Sequence, residues 1–243
     1  MQPFHILTRL LHGALLACFC AVSLAASPIK KARTAVLPPA RATLAILETT
    51  DLHTHVVGFD YFKLADDPSF GLDRTATLIN QARSEFANTL LLDAGDTIEG
   101  TSLADYQAQV KPPDCGTPIA MFKAMNALRY DAATVGNHEF NYGLDWLARA
   151  SGRRFEATLT DGRPTDAQPR AGQKKPVCAG PNFPLVLANV VGKKSQNPLF
   201  PPYVILKRQV KATDANGNAV QRDLRIGLIG FTPPQIMLWT SAG

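Results

Sequence analysis

Short apolar runs alternate along this chain with longer stretches in which apolar positions recur every three or four residues. "ATLAILETT" (42–50), "TLLLDA" (89–94) and "YDAATV" (130–135) are compact apolar runs, each ended by polar residues, and they predict buried strands. Between the first two, "LDRTATLINQARSEF" sets Leu72, Ala76, Ile79, Arg83 and Phe86 at helical spacing, predicting an amphipathic helix over 72–86. Further helices are expected over 118–128, with Pro118 in the first turn, and around 143–150. Strands follow at about 184–190, 203–211 and 223–231, the last two joined through "DANGNA", where Asn-Gly suits a tight turn. Strand, polar tip, helix, repeated, argues for an α/β layer with largely buried strands. In such sheets ligands gather outside the carboxyl ends of the strands.

The first forty residues stand apart. A single positive charge, Arg9, precedes an apolar run from Leu10 to about Ala26 that ends in small residues, the pattern of a secretory signal peptide over 1–26. An anchor helix and a lipoprotein box ending at Cys18 are the alternatives. Residues 27–41 read as a polar, proline-containing leader, and 152–183 as a long surface insertion. Export to the periplasm or the exterior would leave Cys115 and Cys178, which a disulfide would join in an oxidising compartment. With 25 Lys+Arg against 20 Asp+Glu, scattered and without a basic stripe, the chain offers no electrostatic footprint for a nucleic-acid polymer. Nucleotide-sized partners remain open, no membrane partner is expected after signal cleavage, and the oligomeric state is not legible.

Candidate chemistry sits at the strand ends. The first strand closes on Asp51 and His53, the second on Asp96, the third on Asn137 and His138. Asp-x-His, Gly-Asp and Gly-Asn-His each occur by chance. All three in order, each directly after an apolar strand, form a much more specific pattern. Carboxylate, imidazole and amide donors suit zinc, manganese, iron or cobalt rather than a thiolate-bound ion. Gly95 and Gly136 would let backbone turn tightly beside a ligand. Asp93 competes for the second-strand role from one turn earlier.

This order of motifs resembles the calcineurin-like metallophosphoesterases. The phrases "FDYFK", "FGLDRTATLIN", "GDTIEGTSLADY", "GNHEFNYGLDWL" and "IGLIGFTPPQIMLW" are similar to the 5′-nucleotidase superfamily, particularly its exported members that act on 2′,3′-cyclic nucleotides and 3′-nucleotides. The resemblance implies the N-terminal part of a layered α/β/β/α sandwich over 42–243 and two divalent metal ions. Asp51 and His53 would hold one ion, Asp96 would bridge both, and Asn137 would bind the second. His138 would contact the phosphate. His55 is either a partner of the ligands or ordinary loop. Glu139 either orients His138 or caps the next helix. A 5′-nucleotidase or UDP-sugar hydrolase, and an exported binding module without catalysis, are the alternatives to a cyclic-nucleotide hydrolase.

After the leader the chain has three histidines, His53, His55 and His138. The resemblance implies further histidine ligands and an aromatic-bearing nucleotide-recognition domain downstream. The expectation is therefore a fragment of a longer enzyme, with weak metal binding and little activity of its own, and an apolar "QIMLW" segment left uncovered.

Overall fold

The computed structural model describes residues 37–155, 178–192 and 196–234. The signal peptide, most of the leader, the bulk of the 152–183 insertion and the "QIMLW" segment lie outside the described residues.

Four strands build a parallel sheet: β2 (Ala45–Thr49), β5 (Thr89–Asp93), β6 (Ala132–Thr134) and β7 (Leu185–Val186), in the order β2-β5-β6-β7. Leu47 pairs with Leu91 and Thr49 with Asp93, so the tips of β2 and β5 end level. Asp93 pairs in turn with Ala133. β5 is buried at Leu90, Leu91 and Asp93, which fits an inner strand covered on both sides.

Helix α1 (Leu72–Glu85) follows the β2 loop, with Leu72 and Ile79 buried and the charged residues facing out. A short helix α2 (Ser102–Asp105) is capped by the Thr101 hydroxyl, which accepts from the Ala104 N–H at 3.2 Å. It runs into a π-turn over Tyr106–Val110 that the hydrophobic pattern did not foretell. Helix α3 (Ala120–Leu128) buries Met121, Phe122 and Met125. It starts two residues beyond the predicted Pro118, with Ile119 at the cap. Helix α4 (Gly143–Ser151) buries Trp146, Leu147 and Ala150. These faces join Leu91, Val135, Leu187 and Phe200 in one apolar core.

A second, antiparallel sheet consists of β1 (Ala40–Arg41), β8 (Tyr203–Asp214) and β9 (Ala219–Ile229). The β8-β9 turn is the predicted one. Asp214 Oδ1 accepts the N–H groups of Asn216 and Asn218, and Gly217 takes a left-handed φ of 84°. Both strands are longer than the sequence pattern suggested. The two sheets are tied together by Asn88, whose amide donates to the carbonyls of Thr43 and Lys211 and accepts the Lys211 N–H at 2.7 Å. A small hairpin, β3 (Phe59–Asp60) with β4 (Ala65–Asp66), interrupts the loop between β2 and α1. Among the described residues no helix is long and apolar enough to cross a membrane.

Candidate metal centre

Each predicted site residue lies at the carboxyl end of β2, β5 or β6. The backbone there is locked by bonds between neighbouring tips: Asp51 N–H to Gly95 O, His53 N–H to Asp96 O, Thr54 N–H to Thr97 O, all between 2.9 and 3.1 Å. Reaching them forces Asp51, His53, Thr54 and Asp96 into left-handed φ of 52°, 44°, 57° and 58°. Such backbone costs on the order of 1–3 kcal/mol per residue and concentrates at functional sites. The glycines answer to a closer constraint. A β-carbon on Gly136 would strike the backbone N and carboxylate of Asp96, and one on Gly95 would strike the backbone N of Gly136.

Ligand atoms of His53, Asp96 and His138 all fall within 4.8 Å of one another. Asp51 Oδ1 is 3.7 Å from His53 Nε2. The His53 and His138 rings meet edge to face, with centroids 5.1 Å apart. Asn137 opens the 3-10 turn His138–Phe140 beside them, and its side chain makes no hydrogen bond with a described residue. Four of the five predicted residues thus have functional atoms in direct proximity, and Asn137 adjoins them in the chain.

Two residues outside the predicted set enter the same cluster. Glu99 Oε2 lies 3.1 Å from His138 Nδ1 and 3.9 Å from His53 Nδ1. The Asn141 amide nitrogen lies 2.9 Å from His138 Nδ1. Their spacing was the available signal: each follows a candidate residue, Asp96 or His138, by three positions.

Glu139 takes neither of its two expected roles. It is 3% exposed, and its oxygens accept the N–H groups of Asp96 (3.0 Å), Thr97 (2.5 Å) and Gly136 (2.6 Å). It therefore clasps the tips of β5 and β6 and neither touches the His138 ring nor caps α4, whose N-cap is Tyr142. Burial pushes its carboxyl up to about 7, while the backbone donors pull the other way. His55 packs its ring on Phe70 at 4.1 Å, and burial lowers its pKa. This is loop packing.

The donor set suits a cation. The Glu99 carbonyl, 3.0 Å from His53 Nδ1, can only accept, so Nδ1 carries the proton and Nε2 keeps its lone pair. Asp96 Oδ1 accepts the His138 N–H at 2.8 Å, which fixes the carboxylate and leaves its other oxygen open. Among the described residues Asp51, Asp96 and Glu99 pair with no Lys or Arg. Among the described residues three carboxylates and two imidazoles converge with no Lys or Arg to offset them, an arrangement suited to a divalent metal ion.

Comparison with known proteins agrees with this geometry. Residues 44–198 match the calcineurin-like phosphoesterase family. The chain is 42% identical over 203 residues to a 2′,3′-cyclic-nucleotide 2′-phosphodiesterase/3′-nucleotidase of Salmonella typhimurium, covering 84% of this chain and 26% of that protein. A namesake from Yersinia enterocolitica is 41% identical over 209 residues, with 27% of it covered. The chain therefore spans about a quarter of the length of these relatives. The crystal structure of the calcineurin-like phosphoesterase YfkN from Bacillus subtilis superposes with a TM-score of 0.66 at 37% identity, covering 84% of this chain and 52% of that one. Family match, identity and the converging strand tips lead to one statement: this chain belongs to the calcineurin-like phosphoesterases.

Proposed function

We propose that the chain carries the metal-binding half-site of an exported hydrolase. Its substrates are 2′,3′-cyclic nucleotides, opened at the 2′ oxygen to 3′-nucleotides and then cleaved to nucleosides and phosphate. The observation that carries this reading is the convergence of Asp51, His53, Asp96 and His138 from three parallel strand tips, without a neutralising Lys or Arg among the described residues. The substrate class is supported by the names of the relatives at 41–42% identity.

In this reading Asp51 and His53 would hold one divalent cation, and Asp96 and Asn137 would contribute ligands to a second. When bound, such a pair supplies Lewis acidity and activates water for in-line attack on phosphorus. The residues themselves fix geometry. The Glu99 carbonyl holds the His53 ring with Nε2 free, and the His138 N–H holds Asp96. His138, whose side chain is 38% exposed, would contact the phosphate. Export is supported by the apolar N-terminal run and by the disulfide between Cys115 and Cys178.

The test is to incubate the purified chain with Mn²⁺ or Zn²⁺ and, separately, 2′,3′-cyclic AMP, 3′-AMP and 5′-AMP, resolving products by chromatography. The expected result is slow, chelator-sensitive conversion of cyclic AMP through 3′-AMP to adenosine. Asp96→Asn should lower metal affinity by at least about 100-fold, beyond what loss of a supporting partner costs, and abolish turnover. Preference for 5′-AMP would favour the 5′-nucleotidase reading, which rests on 28% identity over 203 residues to the Crotalus adamanteus venom 5′-nucleotidase. Metal uptake without hydrolysis of any substrate would favour a binding module. Hydrolysis indifferent to chelator would overturn the proposal.

A further inference from the structure

β9 lies at one side of the antiparallel sheet, and among the described residues β8 is the strand beside it. Its other edge presents backbone N–H and C=O groups along the 11 residues of Ala219–Ile229. Burial alternates strictly along the strand. Val220, Leu224 and Leu228 are half-buried on one face, and Asp223 and Arg225 are exposed on the other. Within its own sheet Arg225 stands opposite Lys207, a like charge, and Asp223 stands opposite Gln209. Among the described residues neither Asp223 nor Arg225 forms an ion pair.

We propose that this edge pairs with the same edge of a second copy of the chain, antiparallel, about a two-fold axis at Leu224. Leu224 is the midpoint of Ala219–Ile229, so this register uses the whole strand. In an antiparallel pair directly opposite residues share a face. Asp223 therefore meets Arg225 of the second copy on the exposed face, and Arg225 meets Asp223 of the second copy. On the half-buried face Val220 meets Leu228 of the second copy, and the two Leu224 side chains meet each other. Neighbouring registers fail on charge. Sliding by two residues sets Asp223 against Asp223 in one direction and Arg225 against Arg225 in the other, and like charges directly opposite are destabilising. Sliding by one residue sets half-buried positions against exposed ones. The register that pairs the full strand is thus the one that pairs its charges. A contact of two strands buries less than the ~1,200 Å² of a standard interface, so the dimer is weak and concentration-dependent. It leaves the metal centre untouched and does not depend on the proposed hydrolysis.

The test follows the full chain in chelator by sedimentation velocity over a wide range of concentration. Wild type should pass from monomer to dimer as concentration rises. Asp223→Arg alone and Arg225→Asp alone each set like charges opposite on both sides of the axis, and each should weaken the dimer about tenfold or more. Mixed with each other, the two variants bring opposite charges together again at both places, so the mixture should dimerise about as tightly as wild type. Both side chains are exposed, so neither reversal enters the core. A wild type that stays monomeric at every concentration overturns the proposal. So does a dimer indifferent to both reversals, or a mixture of the variants that stays monomeric. Should a reversal fail to fold, hydrogen exchange of wild type decides. Amides on the open edge of β9 should slow as concentration rises, while those of the parallel sheet do not change. Exchange in β9 that is independent of concentration overturns the proposal equally.

Discussion

Asp93 and Asp96 are three residues apart and live in different environments. Asp93 sits within the sheet, 3% exposed, and accepts hydroxyl bonds from Thr49 (2.7 Å) and Thr97 (2.8 Å) and the Gly95 N–H (3.0 Å). Burial pushes it up to about 6, although the three donors pull it down. The folded chain thus holds this proton more tightly than the unfolded chain does. Asp93 contributes most to stability below about pH 4, and that contribution is lost as pH rises through about 6. In urea unfolding with chelator, the stability difference between wild type and Asp93→Asn should shift against wild type by about 2–3 kcal/mol from pH 4 to pH 7. A difference that does not vary with pH would refute it. From the sequence both aspartates competed for the strand tip. The register of Asp93 opposite Thr49 separates them, and it depends on strand pairing across 44 positions. The left-handed φ at His53 and Thr54 was equally hidden, since nothing in a histidine or a β-branched threonine announces it.

At the scale of elements, the strand tips were readable because an apolar run that stops at Asp or Gly marks its own end. The five strands and three helices expected from 42 to 150 and beyond 200 are present, with ends shifted by a few residues. The π-turn, β1 and the β3-β4 hairpin were missed, as each is held by contacts rather than by a periodic pattern. Glu139 shows the same limit at the site. Its partners at Asp96 and Thr97 lie more than forty residues earlier, so no local motif could reveal that it clasps β5 to β6. Glu139→Ala would leave the buried N–H groups of Thr97 and Gly136 and the half-buried one of Asp96 without an acceptor, at about 1–3 kcal/mol for each buried group. Chemical denaturation should therefore show a loss of at least about 2 kcal/mol. Calorimetric titration with Mn²⁺ should show affinity lower by about 10–100-fold, because the Asp96 tip is no longer held against His138. Glu139→Gln, which keeps one acceptor oxygen, should fall between. A folded Glu139→Ala chain with wild-type metal affinity would mean that the clasp does not position the tips.

Across the whole molecule, the parallel sheet gains its fourth strand only after the long insertion, and the Cys115–Cys178 disulfide, spanning 63 residues, determines where the chain re-enters. Cys115 precedes α3. Beyond Cys178, the Ala179 N–H donates to Cys115 O at 2.7 Å and the Asn182 N–H to the Asn126 side chain of α3 at 2.8 Å. Pro184 then accepts the Ala133 N–H, and β7 begins at Leu185. The bridge thus lays 178–184 along α3 and delivers β7 to β6. Closing a loop of this length removes about 4 kcal/mol of chain entropy from the unfolded state by the loop-entropy relation, and native bridges commonly contribute about 2–4 kcal/mol. The Cys115→Ser/Cys178→Ser double variant should lose stability in that range. Hydrogen exchange should accelerate first in β7 and at the Ala133 amide that pairs with Pro184. The tips of β2 and β5 are bonded to each other rather than through β7, so Asp51, His53 and Asp96 should keep their mutual geometry in the molecules that remain folded. Metal affinity of the folded fraction should then change less than about threefold, well below the 10–100-fold that loss of a supporting partner costs. Uniform acceleration of exchange across all four strands would show instead that the bridge supports the sheet as one unit and that β7 has no separate dependence on it.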